Sequence, residues 1–286
     1  MKIVRFGAAG QEKPGVIDAS GHVRDLSDHL GDINPETLGS QAFQALPSLD
    51  LGSLPDAGPA DGLRLGPCVV GMNKIVCCGL NEKKHAEEMS VGLHQEPSVF
   101  FKPLSALSGP TDPIIYPKVG SRLDWEAELA IVVGTKCKYV EPSNARSKMA
   151  GFCILNDLTD RYWQIDRGMG QALAGKWFDT FAPTGPWLVT PDEVPDPGSL
   201  LIRTWVNDKI VQNFSSSDYI FDADHILAHC SKFFTLFPGD VIAMGSGPGN
   251  GIHLNQYLNV GDNIRVEISG LGRQSNIVVA EQDADL

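Results

Sequence analysis

The sequence predicts a mainly β, α+β fold organised around a mixed sheet, and three observations carry that expectation. Strand-like apolar runs recur from residue 74 onward, few helical segments separate them, and residues 122–133 (RLDWEAELAIVV) alternate carboxylates with apolar residues before turning continuously apolar. A doubly wound fold would instead alternate strands with helices of ten or more residues.

Taken in order, the first residues give three short strand-like runs (KIVRF, GVIDA, HVRDL) separated by Gly-rich or charged turns, as expected of a small β-rich module. Residues 31–67 shift to Gly, Pro, Ser and Asp with scattered leucines, which reads as a short helix and a connector. The division is therefore 1–67 for the N-terminal module and connector, and 68–286 for the main body. That body contains KIVCCGL, SVFFK, ELAIVVG, GFCILND, PWLVT, LIRTWVN, DVIAMG and IRVEIS as strands, with DLTDRYWQIDRG and ADHILAHCSKFFTL as the chief helices.

Composition narrows the function classes. The 286-residue chain is 42% hydrophobic with a formal net charge of −12, which suits a globular protein and argues against nucleic acid or an anionic membrane as partner. Six cysteines without paired CxxC spacing read as buried thiols of a reducing, cytoplasmic setting. The first residues lack an apolar h-region and no run approaches a spanning length, so neither a signal peptide nor a membrane helix is expected.

The alternating segment carries the chemistry. Asp124, Glu126 and Glu128 share one strand face, and like charges so placed either splay into water or bind a cation. Asp157 closes another apolar run, GFCILND. Carboxylates ending buried strands make an all-oxygen site suited to Mg²⁺, Mn²⁺ or Ca²⁺ rather than Zn²⁺. If a helix opens near Asp157, Arg161 and Gln164 fall on its side at i+4 and i+7, where a guanidinium and a cation could hold a carboxylate substrate; the alternative is a surface arginine on an amphipathic helix. His85 and Glu88, three apart in GLNEKKHAEEMS, suit a base oriented by a carboxylate, or a solvated helix face.

The motifs CGLNEKKHAEE, SVFFKP, LDWEAELAIVVG, GFCILNDLTDRYWQ, GKWFDTFAPTGPWLVT and LFPGDVIAMG resemble, in order and spacing, the fumarylacetoacetate hydrolase superfamily, from about residue 74 onward. The N-terminal module and the closing QYLNVGDNIRVEISGLGRQ look most like members acting on 2,4-diketo-3-deoxy sugar acids or acylpyruvates. The resemblance implies a mixed β-roll, commonly a homodimer. It implies Glu126, Glu128 and Asp157 as ligands of Mg²⁺ or Mn²⁺, and His85 and Glu88 as the water-activating pair. Lys176 would stand beside the reacting carbonyl, with Arg161, Gln164, Lys102 and Ser246 as substrate contacts. Asp124 is not a usual ligand of the family.

Two departures bear on the substrate. Glu82 replaces the aromatic residue of the family's GLNY, and MGSGPGNG (residues 244–251) replaces its TGTPxGVG, with Ser246 at the threonine and Gly247 at the first proline. Losing that proline predicts a looser loop, in which Gly247→Pro alters KM more than stability. The implied reaction is metal-assisted C–C hydrolysis of an acylpyruvate-like 2,4-diketo acid to pyruvate and a carboxylic acid. Oxaloacetate decarboxylation or tautomer isomerisation on the same metal is the first alternative, and a non-catalytic, metal-stabilised binding module the second.

Overall fold

The computed structural model describes residues 1–90, 92–167 and 173–281. Its main sheet runs Asp56–Pro59, His22–Asp25, Lys13–Ile17, Lys2–Phe6, Ala182–Val189, Met149–Asn156, Ala127–Val133, Val241–Ala243, Ile75–Gly79 and Ser98–Lys102, with Leu107–Ser108 pairing onto Ala182–Val189 off this path. Neighbours are antiparallel except Val241–Ala243 against Ile75–Gly79 and the Leu107–Ser108 pairing. A second sheet runs Lys209–Ser215, Leu201–Val206, Asn263–Ile268, Gly272–Ala280 and Ile114–Tyr116, its last pair parallel. The expected mixed, strand-rich α+β architecture is therefore the one observed.

The strands of the N-terminal segment extend the main sheet through Lys2 opposite Val189 and Ile3 opposite Leu188. Period-two alternation then splits their side chains between two cores. Ile3, Val16 and Leu26 join the main core, whereas Val4, Phe6 and Val23 pack with Leu65 in a smaller cluster on the other face. The connector forms the short helices Pro35–Leu38 and Gln41–Ala45, capped by the side chains of Asn34 and Ser40.

The structure rules out one of the two alternatives for the carboxylates and differs from one local expectation. The strand Ala127–Val133 is buried at every position, because it lies centrally in the sheet and is covered on both sides; Glu128 is therefore interior, not splayed into water. The segment from Asp157 does not open a helix. Asp157 N–H donates to Glu126 O at 2.8 Å, Thr159–Asp160 pairs with Leu123–Asp124, and helical geometry begins only at Arg161, continuing as one π turn over Tyr162–Asp166. Cross-strand pairing outcompetes the local helical pattern there, and Gly168, the last residue of that expected helix, lies outside the described residues. The second expected helix is present as Ala223–Phe233, capped by Asp222.

Candidate active site

The sheet register assembles the carboxylates. Ala127 lies opposite Asn156 in the antiparallel pair, so Asp157, one residue on, falls beside Glu126. Ligand oxygens of Glu126, Glu128 and Asp157 come within 4.8 Å of one another. All three residues are buried. Unopposed, three such charges would not stay ionised away from water.

Cationic side chains supply most of the opposition. Lys176, on the single turn Ala174–Lys176, donates to Glu126 Oε2 at 2.5 Å and Asp157 Oδ2 at 2.6 Å. Lys102, at the end of Ser98–Lys102, donates to Asp157 Oδ1 at 2.5 Å and Leu158 O at 3.0 Å. Arg161 donates to Asp124 Oδ2 at 2.7 Å, Glu126 Oε1 at 2.5 Å and Gln164 Oε1 at 2.6 Å. Arg161 and Gln164 thus meet on one side, as expected, through an i,i+3 contact at the π turn. Asp124 also accepts from the backbone of Trp125, Gly251 and Ile252, which saturates it as the anchor of Arg161.

The charges do not balance. Among the described residues, Asp124, Glu126, Glu128 and Asp157 are paired with three cationic side chains, Lys102, Arg161 and Lys176. Burial alone would raise the Glu126 carboxyl, but Lys176 and Arg161 outweigh it and hold it well below the usual carboxylate range. Glu128 carries the deficit: burial, then Asp157 and Glu126, push its carboxyl well above the ordinary value. Among the described residues its hydrogen-bond donor is Gly245 N–H, at 2.7 Å. A charge-deficient cluster of three buried carboxylates, two of them already bridged by an ammonium, fits an oxygen-preferring divalent cation.

His85 is coupled electrostatically to this cluster. It lies on the helix Lys83–Glu88, whose N-cap Glu82 accepts the His85 N–H at 2.6 Å; the glutamate that replaces the family's aromatic residue thus caps the base helix. Burial lowers the His85 pKa, Glu126 opposing the fall and Arg161, its partner in the cluster, reinforcing it, so the imidazole lies within electrostatic reach of both. His85 Nδ1 is 3.6 Å from Glu88 Oε2. On the other side of the same carboxylate oxygen is a residue that sequence reasoning missed, His253, its Nε2 at 3.8 Å. The two are 168 positions apart, and only the histidine in GIHL just past the glycine loop hints at it.

Ser246 is buried within a network centred on Gln212, also missed in the sequence. Gln212 Nε2 donates to Ser246 Oγ at 3.0 Å, Gly247 O at 3.1 Å and Asn250 Oδ1 at 2.7 Å, while its Oε1 accepts from Thr204 Oγ1 at 2.8 Å. The looseness expected of this loop is not what its packing gives. A Cβ built on Gly247 would lie 2.4 Å from the Phe214 ring, so the position is glycine because an aromatic side chain fills the space beside it.

The sequence matches the fumarylacetoacetate (FAA) hydrolase C-terminal family over residues 74–279. The chain belongs to this family. A Burkholderia multivorans relative, whose name specifies no substrate beyond a hydrolase, is 42% identical over 98% of this chain and 99% of its own. Among solved structures, a fumarylacetoacetate hydrolase from Exiguobacterium antarcticum is 34% identical with a TM-score of 0.86, covering 98% of this chain and 99% of that one. Maleylpyruvate hydrolase from Sphingobium sp. SYK-6, in complex with manganese(II) and pyruvate, is 30% identical with a TM-score of 0.83 over the same shares. The 2-hydroxyhepta-2,4-diene-1,7-dioate isomerase of Mycobacterium marinum is likewise 30% identical, with a TM-score of 0.76 over the same shares. The family and its site make the protein a metal-dependent hydrolase or isomerase, with a divalent cation as cofactor. Among the described residues, no helix is long and apolar enough to cross a membrane.

Proposed function

We propose that this protein hydrolyses a C–C bond of an acylpyruvate-like 2,4-diketo acid, a diketo-deoxy sugar acid being one member of that class, to pyruvate and a carboxylic acid, with Mg²⁺ or Mn²⁺. The observation that carries the reading is the convergence of Glu126, Glu128 and Asp157 on one point, within electrostatic reach of a buried histidine whose lowered pKa keeps it neutral. The likeness to a maleylpyruvate hydrolase solved with manganese and pyruvate supports it. A divalent ion would turn the one-unit charge deficit of the cluster into a one-unit surplus, which suits an anionic substrate.

When bound, the cation supplies Lewis acidity at the 2-oxo acid end of the substrate. The chain's own residues supply the rest. Neutral His85 accepts a proton from water, and Glu88 stabilises the resulting imidazolium. The water oxygen bonds to the acyl carbonyl carbon, the Lys176 ammonium offsets the developing oxyanion, and the bond from that carbon to the methylene breaks. The electron pair leaves with the pyruvate enolate, whose methylene carbon takes up the proton. Arg161, aligned by Asp124 and Gln164, Lys102 and Ser246 complete the polar wall that orients the acid.

A second reading has its own support in the isomerase of similar fold: the same cation and base could move a proton between carbons without an attacking water. Pyruvate release from a panel of acylpyruvates with Mg²⁺, Mn²⁺ or a chelator tests the hydrolytic reading; an isomerised substrate with no pyruvate favours the second. A homodimer in a reducing, cytoplasmic setting, consistent with six buried free thiols, belongs to the proposal. Sedimentation of the purified protein tests the assembly.

A further inference from the structure

The contact between His85, Glu88 and His253 is not explained by water activation alone. Glu88 Oε2 lies 3.6 Å from His85 Nδ1 and 3.8 Å from His253 Nε2. Both distances are too long for a hydrogen bond, and both ring nitrogens are buried without a partner. His85 itself is only 7% exposed, so leaving its Nδ1 unsatisfied is costly unless something occupies the space between the groups. The rings stand edge to face at 86°, with centroids 5.7 Å apart, and the three ligand atoms lie within 4.8 Å of one another.

The two spacings to Glu88, 3.6 and 3.8 Å, are close to the edges of a coordination tetrahedron. With metal–nitrogen distances of about 2.0–2.1 Å, neighbouring ligand atoms stand roughly 3.3–3.4 Å apart. Two imidazoles and one carboxylate are also the donor set that prefers Zn²⁺ and its borderline neighbours over Mg²⁺. Glu88 and His253 keep side-chain exposures of 30% and 20%, which leaves a path from solvent and room for a fourth ligand.

We propose that His85, Glu88 and His253 form a second metal site, selective for Zn²⁺ or a similar transition metal and separate from the carboxylate site. Its occupancy takes the His85 Nδ1 lone pair and the Glu88 oxygen together, so Zn²⁺ bound there halts water activation without displacing the ion held by Glu126, Glu128 and Asp157. The site goes beyond the hydrolase reading and stands or falls separately from it.

Equilibrium dialysis of Zn²⁺ against the wild type, His253→Ala and Glu128→Ala, with no competing metal, tests the site. The wild type binds one Zn²⁺ per chain more than His253→Ala, Glu128→Ala keeps that ion, and Co²⁺ in Glu128→Ala gives the intense visible bands of a tetrahedral site with nitrogen ligands. His253→Gln guards against misfolding of the alanine variant and weakens Zn²⁺ at this site by at least about tenfold, the loss that even changes around a ligand produce. Zn²⁺ stoichiometry unchanged in folded His253→Ala and His253→Gln, or no Zn²⁺ retained by Glu128→Ala, overturns the proposal and leaves a bridging water as the occupant.

Discussion

Replacing Glu128 with Gln separates two consequences of its carboxylate. In the metal-free protein the side chain is buried, accepts one N–H from Gly245 and stands within 4.8 Å of ligand oxygens of Glu126 and Asp157. At that spacing and an effective dielectric constant of about 20, each repulsion costs about 3.5 kcal/mol, and the two together about 7 kcal/mol. Protonation costs less. Between its ordinary value of 4.5 and pH 8, holding a proton costs about 1.4 kcal/mol per pH unit, a ceiling of about 5 kcal/mol. Attraction to Lys176 favours the ionised form instead, so it trims the repulsion figure and with it the penalty that remains. The folded state holds that proton while the unfolded chain has released it, so this contribution lowers stability as pH rises above 4.5. The Gln amide keeps an acceptor for Gly245 without the charge. Metal-free Glu128→Gln is therefore expected to exceed the metal-free wild type by about 2–4 kcal/mol at pH 8, roughly 4–10 °C in Tm, with the gap closing toward pH 5. Added Mg²⁺ or Mn²⁺ offsets that gap: the cation gives the wild type about 2.7 kcal/mol at a hundred times its Kd and about 4.1 kcal/mol at a thousand times, where the order reverses, and the variant nothing measurable. Thermal melts of both proteins at the two pH values, in chelator and in cation, read all eight conditions. A metal-free variant that melts at or below the wild type at pH 8, or that keeps the full cation-induced shift, refutes the electrostatic account of this site.

His85→Ala is expected to lose about 10² to 10⁴ in kcat for hydrolysis while retaining Mg²⁺ or Mn²⁺, measured by calorimetry, because the cation's ligands lie on other elements. Burial depresses the His85 pKa below its ordinary 6.5, so kcat/KM should stay level down to that pH and fall only below it as the base is protonated; the limb should vanish in His85→Ala. Cation affinity should strengthen as pH rises toward the raised pKa of Glu128, because binding must displace its proton, and calorimetry in buffers of different ionisation enthalpy counts the proton released. Gly247→Ala or Gly247→Pro should cost about 1–3 kcal/mol of stability, since the new Cβ meets the Phe214 ring at 2.4 Å; an unchanged Tm in either variant contradicts the packing argument.

Strands were legible wherever period-two alternation or a short apolar run coincided with a position in the sheet, as in Lys2–Phe6 and Ala127–Val133. The carboxylates were legible for the same reason: Glu128 on one strand, Glu126 just before that strand and Asp157 just past the end of its neighbour need only the right register to meet. The neutralising groups were harder to assign. Lys102 and Arg161 carry, as far as their neighbours in sequence show, no sign that they pair with Asp157 and Asp124, because those pairings span 55 and 37 residues. The same distance effect hid His253 and Gln212. Residues 157–160 read as a helix because the local pattern is amphipathic, yet a two-residue ladder with Leu123–Asp124 settles them as extended chain. Gly247 was misjudged because its partner, Phe214, lies on the separate strand Lys209–Ser215.

The central claim is that water adds across a C–C bond at this site. Incubating the Mg²⁺- or Mn²⁺-loaded enzyme with an acylpyruvate in H₂¹⁸O, then analysing both products by mass spectrometry, addresses it directly. The account predicts equal amounts of pyruvate and carboxylic acid, with one ¹⁸O from solvent in the carboxylic acid, and none of this in the presence of chelator. Release of CO₂, an isomerised substrate of unchanged mass, or pyruvate formed without a labelled acid contradicts it.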